Sequence, residues 1–340
     1  MPALSAADAV PLAFQRTRDF LFQPFRWGTY LKLSLVAIVT EGLSGNMNSS
    51  SHSGPNAGPG SMGSLPFHNP AAWCAAIAML ALAAILACFI FYLITRLRFA
   101  FFHCLVTRTS EIRSGWFLYR DQAARFFWLN LAVGFCFLLV MGLTALPFVN
   151  GFMRLFHENQ QSGRMDFGLL LSLVLPLIPI MLLFVVAGVL TDLVLRDGMM
   201  PHYALEDASA GEAWSQVWAH VRAEKRQFIA YALLRLVLPF LAMVAIFFLL
   251  LLPGLALAGS VAAAELGIHS VFAGSSGASA LVGVLVQVFL GVLAFGFALL
   301  VGVGLGGPVS TGVREYALVF YGGRYRALGA MLYPEVSRPA

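Results

Sequence analysis

Four stretches of this chain, 71–95, 126–149, 167–191 and 279–307, contain no charged residue, and a fifth, 228–258, contains only Arg235. About 20 predominantly apolar residues suffice to cross about 30 Å of hydrocarbon as a helix. Inside a bilayer a lone segment can satisfy its backbone groups only as a helix. These runs predict an all-α integral membrane protein and leave little room for any other class. Composition agrees: 59% of the 340 residues are hydrophobic and 11% charged, against about 25% charged in soluble domains. A water-facing enzyme, a disordered chain, a coiled coil and a disulfide scaffold are all excluded on that ground.

A sixth segment, 27–43, is interrupted by Lys32 and Glu41, so length alone leaves an interfacial or re-entrant piece or the apolar core of a signal peptide open. Charge placement favours a crossing. If it spans, 18 of the 21 Lys and Arg residues fall on one face, Arg154 and Arg164 on the other, and Arg235 within a span. That alternation fits the positive-inside rule. It predicts six transmembrane helices in three hairpins, with both termini cytoplasmic, in a bacterial inner membrane. The net charge of +5 then reads as orientation, with no nucleic-acid partner. The connection 45–70, uncharged and rich in Gly, Ser, Asn and Pro, is expected to be a flexible outer loop.

Ahead of each odd-numbered span lies a stretch too polar to cross that carries an apolar stripe. In the middle one, Ile112, Trp116, Tyr119, Ala123 and Phe127 recur at helical spacing. The third aligns Ala213, Trp214, Val217, Trp218 and Val221, and opens with Ser209 and Glu212 in capping-box spacing. The first, about residues 5–23, sets Arg16 and Arg18 among Phe14, Phe20, Leu21 and Phe22, and Pro24 ends it. Helices of this kind suit the headgroup plane. Arg16, Arg18, Trp27, Trp116, Trp214 and Trp218 are the expected interfacial anchors. The onsets of the odd spans near Trp27, Phe127 and Phe228 are almost evenly spaced, which hints at three copies of one unit.

The segment Ala13 to Leu33 with its Gly-rich sequel resembles a family of bacterial and archaeal multi-pass membrane proteins of unknown function. So do Arg96-Leu97-Arg98-Phe99, the Gly115-Trp116 helix, and Leu195-Arg196-Asp197-Gly198-Met199-Met200-Pro201 ahead of Ala213-Trp214. That family is similar to the membrane domain of glycerophosphoryl diester phosphodiesterases. The likeness implies a fold and a membrane address. It implies no activity, because the soluble phosphodiesterase barrel with its acidic metal ligands has no counterpart in this sequence.

A charge inside a span is costly and by default marks a pair or a pathway. Arg235 lies about two turns into the fifth span, and Asp192, near the end of the fourth, falls at a similar depth, so the two are expected to pair. With Arg96, Arg98 and Asn130 at the same level they form a hypothetical cytoplasmic-side polar cluster able to bind a lipid phosphate or another anion. The plainer alternative is that Asp192 and Arg235 lock two helices while Arg96 and Arg98 reach the headgroups. Gly302 and Gly306, four residues apart, are expected to let helices approach closely, first within the monomer and second in a homo-oligomer. Pro147, Pro176, Pro179, Pro239 and Pro253 lie within spans, where broken helices can form transporter sites. Neither the four cysteines nor the seven histidines show metal-ligand spacing, and no nucleophile elbow or paired intramembrane carboxylates occur. The expectation is a protein without catalytic residues, metal or cofactor, in contact with membrane lipids or a protein partner. A small-solute transporter or channel is the alternative, and a membrane enzyme the third reading.

Overall fold

A computed structural model describes residues 4–45, 70–162, 167–272 and 278–333. The expected outer loop falls almost wholly outside them. Among the described residues the regular structure is helical throughout. It runs as α1 (Ala9–Phe22), α2 (Trp27–Gly45), α3 (Pro70–Thr107), α4 (Ile112–Leu118), α5 (Arg120–Ser162) and α6 (Phe167–Leu193). A π-helical turn (Val194–Met199) follows, then α7 (Met200–Leu205), α8 (Ala210–Ala223), α9 (Lys225–Phe272), α10 (Ala278–Gly322) and α11 (Arg326–Leu332).

Five helical stretches are long and apolar enough to cross a membrane: Trp73–Thr107, Arg120–Leu155, Leu170–Leu205, Lys225–Ile268 and Leu281–Gly322. They contain the five uninterrupted runs of the sequence and mark a multi-pass membrane protein. Their large side chains point outward, as with Leu80 at 74% and Leu252 at 77% exposed, an arrangement that water would not tolerate over so large an area. The segment 27–43 does form a helix, α2, but is not one of the five, since Lys32 and Glu41 dilute its apolar character. The helices continue through Pro147, Pro176, Pro179, Pro239 and Pro253 without a break.

The crossing helices exceed the membrane. At 1.5 Å per residue the 38 residues of α3 reach about 57 Å, nearly twice the hydrocarbon thickness. The excess goes into protein: α3 is exposed over Trp73 to Phe89 and buried from Arg98 to Phe102 and Cys104 to Val106. The π-helical turn with α7, Leu195 to Tyr203, and the end of α10, Arg314 to Tyr321, are buried in the same way.

The chain divides into two compact units. One comprises Met1–Leu80, Phe101–Ile112 and Arg226–Ala340. Here α10 is the hub, with α1, α2 and α11 packed on it. Glycine sets the approach of α2: a Cβ on Gly307 would collide with the side chain of Ser34 and lie 2.6 Å from its Cα, and one on Gly306 would press on Ile38 at 3.2 Å. Gly302 has open space around it, so the close pair is Gly306 and Gly307, one step along the helix from the expected spacing. The Tyr30 hydroxyl donates to the Gly304 carbonyl across the same seam. α11 folds back on α10 where Gly322 faces Gly329.

The second unit comprises Ala81–Ala100 and Arg113–Lys225. Aromatic edges hold it. Phe126 meets Phe99 at 5.5 Å and Tyr203 at 5.4 Å, and Phe137 meets Phe184 at 5.3 Å. Of the predicted apolar stripe, Tyr119, Ala123 and Phe127 are buried, Ile112 and Trp116 are half-buried, and Gly115 is buried in addition. The capping box also forms: the Ser209 hydroxyl accepts from the Glu212 amide while the Glu212 carboxylate accepts from the Ser209 amide at 2.9 Å.

Candidate functional site

Of the residues expected to form one polar cluster, Arg235, Asp192, Arg96 and Asn130 each hold a partner of their own. Arg235 Nη2 donates to Glu41 Oε2 at 3.2 Å, joining α9 to α2, and both side chains are nearly enclosed. Asp192 accepts from Arg196, one turn on, at 3.5 Å. Asp192 and Arg235, expected to pair with each other, thus each have a charged partner of their own, and Glu41, which interrupts the apolar run of α2, is the carboxylate beside Arg235. Arg96 Nε donates to the Trp116 carbonyl at 3.1 Å, and its guanidinium lies 4.5 Å from the centre of the Trp116 ring. Arg98 is buried, and Asn130 donates to the Phe126 carbonyl of its own helix at 2.8 Å.

The anchors divide. Trp27 and Arg18 are exposed, Arg18 beside Asp19 at 3.6 Å. Trp214 and Trp218 are exposed and stacked on each other, with ring centres 6.0 Å apart. Arg16, expected at the headgroups, is instead buried. Its Nε meets Glu315 Oε2 at 3.0 Å, its Nη1 donates to the Leu332 carbonyl at 3.1 Å, and its guanidinium lies 5.7 Å from the Tyr333 ring centre. The cause is the stripe that α1 turns inward, Ala9, Ala13, Arg16, Thr17 and Leu21, which leaves Phe14 outside. Sequence reading had not singled out Glu315, since a carboxylate so near a predicted helix end looks like a surface residue. Burial holds the Tyr333 hydroxyl above its ordinary pKa, opposed by the positive charge of Arg16.

The second unit also contains a groove. A cavity of about 620 Å³ is walled by Leu129 and Val133 of α5 and by Leu190, Val194 and Met199 from α6 and the π-helical turn. Ala210, Gly211 and Trp214 at the start of α8 close one end. Thr191 supplies the one hydroxyl on this wall, and it already donates to the Ala187 carbonyl at 2.8 Å. A cavity of this size is in the range of small-ligand sites, but its wall is almost wholly apolar, with Thr191 and the Trp214 indole as its polar side chains. A π-helical turn is rare and frequently accompanies function. Here it carries the buried Arg196 and Asp197, and brings Gly198 against Val217 of α8, 2.9 Å from where a Cβ would sit.

Residues 4–331 match the family model DUF7544, a family of unknown function. The chain belongs to this family. The match takes in both units and, among the described residues, all eleven α-helices save the last residue of α11. No curated protein and no solved structure matches this DUF7544 member, and neither comparison links it to the membrane domain of glycerophosphoryl diester phosphodiesterases. Among the described residues of the DUF7544 chain no cluster of three or more His, Cys, Asp or Glu side chains is placed to hold a metal ion.

Proposed function

We propose that the protein is a non-enzymatic component of a bacterial inner membrane that holds a membrane lipid in the groove between α5, α6 and α8. The observation that carries this reading is the groove itself, an apolar cavity of about 620 Å³ bounded by two membrane-length helices and by the exposed ring of Trp214. An acyl chain needs apolar wall and no hydrogen-bond partner, and the wall supplies that. Polar solutes need convergent donors and acceptors, which the wall lacks.

On this reading α2 also crosses. The Glu41 and Arg235 pair supports it, because a carboxylate and a guanidinium bonded to each other are the arrangement in which charges are tolerated at depth. Six spans then place both termini, α1 and α11 in the cytoplasm, by the distribution of Lys and Arg.

Purification of the full chain in a mild detergent, followed by native mass spectrometry, tests the lipid reading. The wild type should retain one lipid per chain through delipidation. Thr191→Phe, which fills the groove without removing a needed hydroxyl, should release it. Equal lipid retention by the two proteins would refute the groove as the binding site.

A further inference from the structure

Three side chains along α8 continue outward from the groove. Trp214 stands on its wall. One turn on, Trp218 lies parallel to it, with 8° between the ring planes and 6.0 Å between centres. One turn further, the Arg222 guanidinium lies over the Trp218 ring at 5.3 Å. The spacing i, i+4, i+8 keeps all three on one face of the helix, and both indoles are exposed. Flat aromatic surface against the acyl boundary and a cation beyond it match the order of groups in a phospholipid, from tail through glycerol to phosphate. Indoles favour this boundary depth, and a guanidinium engages phosphate oxygens through paired N–H donors.

Among the described residues no carboxylate forms an ion pair with Arg222. Its one interaction among the described residues is with the Trp218 ring, which leaves its N–H edge available. The carboxylate of Glu212 is held at the other end of α8 by the capping box. We propose that Arg222 recognises the phosphate of an anionic phospholipid whose tail lies in the groove, with Trp214 and Trp218 supporting the glycerol region between them. This rests on the lipid reading above and adds the class of headgroup.

The test uses the full chain reconstituted in phosphatidylcholine vesicles containing acyl-brominated phosphatidylglycerol or acyl-brominated phosphatidylcholine. Fluorescence quenching assigned to Trp214, taken as the difference between wild type and Trp214→Phe, reports occupancy of the groove. Brominated phosphatidylglycerol should act at about fivefold lower mole fraction than brominated phosphatidylcholine, the factor expected for one arginine near an anionic surface. Arg222→Gln should bring that ratio to about one, chiefly by weakening the phosphatidylglycerol arm, because the phosphate of phosphatidylcholine already has its own ammonium as a partner. Arg222→Lys should retain part of the preference. Near the C-terminus of α8 a cation also favours the helix dipole, and a role confined to the dipole would leave the ratio unmoved in Arg222→Gln. That result, or a wild-type ratio of one, would overturn the headgroup assignment with the groove intact. Displacement of the lipid by added inorganic phosphate would overturn it too, since the site would then take the free anion. Absence of any Trp214 quenching by either lipid would instead remove the groove reading itself.

Discussion

Replacing Arg16 with alanine would leave the Glu315 carboxylate enclosed in α10 without the guanidinium that now bonds it at 3.0 Å. A buried pair broken on one side typically costs about 3–5 kcal/mol, whereas an apolar pair of similar volume is often neutral or better. Arg16→Ala should therefore lower the thermal midpoint of the detergent-solubilised protein sharply, and Arg16→Met with Glu315→Leu should recover most of it. A double variant no better than the single would show that the pair does not act as a unit. Glycine makes a second prediction at this scale. Gly307→Ala places a methyl group on the Ser34 side chain and close to its Cα, where only backbone movement of α2 can relieve the clash. A loss of about 1–3 kcal/mol is expected, against no loss for Gly302→Ala, which faces open space and gains helix propensity. Thermal unfolding of the two variants side by side decides it.

Elements were legible where a single physical signal dominated. Apolar length placed the five crossing helices, and the Ser209 and Glu212 spacing placed the start of α8. What the letters could not show was the direction each short helix faces. In α1 the phenylalanines mark an apolar side that suits the headgroup plane, whereas the face that is buried carries Ala9, Ala13 and, with them, Arg16. The partner of Arg235 is hidden for a related reason. Depth along a helix can be counted from its ends, but which neighbour stands beside it cannot, and Glu41, an interruption of an apolar run in the sequence, is the carboxylate that Arg235 meets. The groove was invisible in sequence, because its wall residues are indistinguishable from lipid-facing ones until α5, α6 and α8 are assembled. The capping box carries a pH prediction of its own. Hydrogen bonds from the backbone amide and the hydroxyl of Ser209 hold the Glu212 carboxyl below its ordinary pKa. A depressed folded-state value means that the stabilising contribution is complete above the unfolded value of about 4.3 and is lost as pH falls through the lower, folded one. Amide protection in the first turn of α8, taken relative to the intrinsic exchange rate at each pH, should fall on acidification through that window. In Glu212→Ala exchange should already be fast above it, with no step on acidification, and a step persisting in that variant would refute the assignment.

Across the whole molecule one succession occurs three times: a long apolar helix, a buried run that begins near an arginine, a break, and a short helix. The arginines are Arg98, Arg196 and Arg314, all buried. Eighteen residues after each come Trp116, Trp214 and Leu332, in α4, α8 and α11. The breaks are made by a left-handed residue, Arg108 or Asp207 (each φ 54°), or by Gly322 and Gly323. The even spacing of helix onsets in the sequence thus has a counterpart in burial. If three equivalent units share one orientation, α2 must cross in the same sense as α5 and α9, although its charges make it the poorest candidate by hydropathy. Single cysteines introduced into a cysteine-free background test this directly. Ser50→Cys, between α2 and α3, should react with a membrane-impermeant maleimide in intact spheroplasts. Ala7→Cys, exposed ahead of α1, and Glu111→Cys, exposed between α3 and α4, should react only after permeabilisation. If α2 lay along the surface instead, Ala7→Cys and Ser50→Cys would share one side and label together, opposite to Glu111→Cys. That outcome would also leave Glu41 and Arg235 paired at an interface, and the argument for a counter-charge at depth would fall with it.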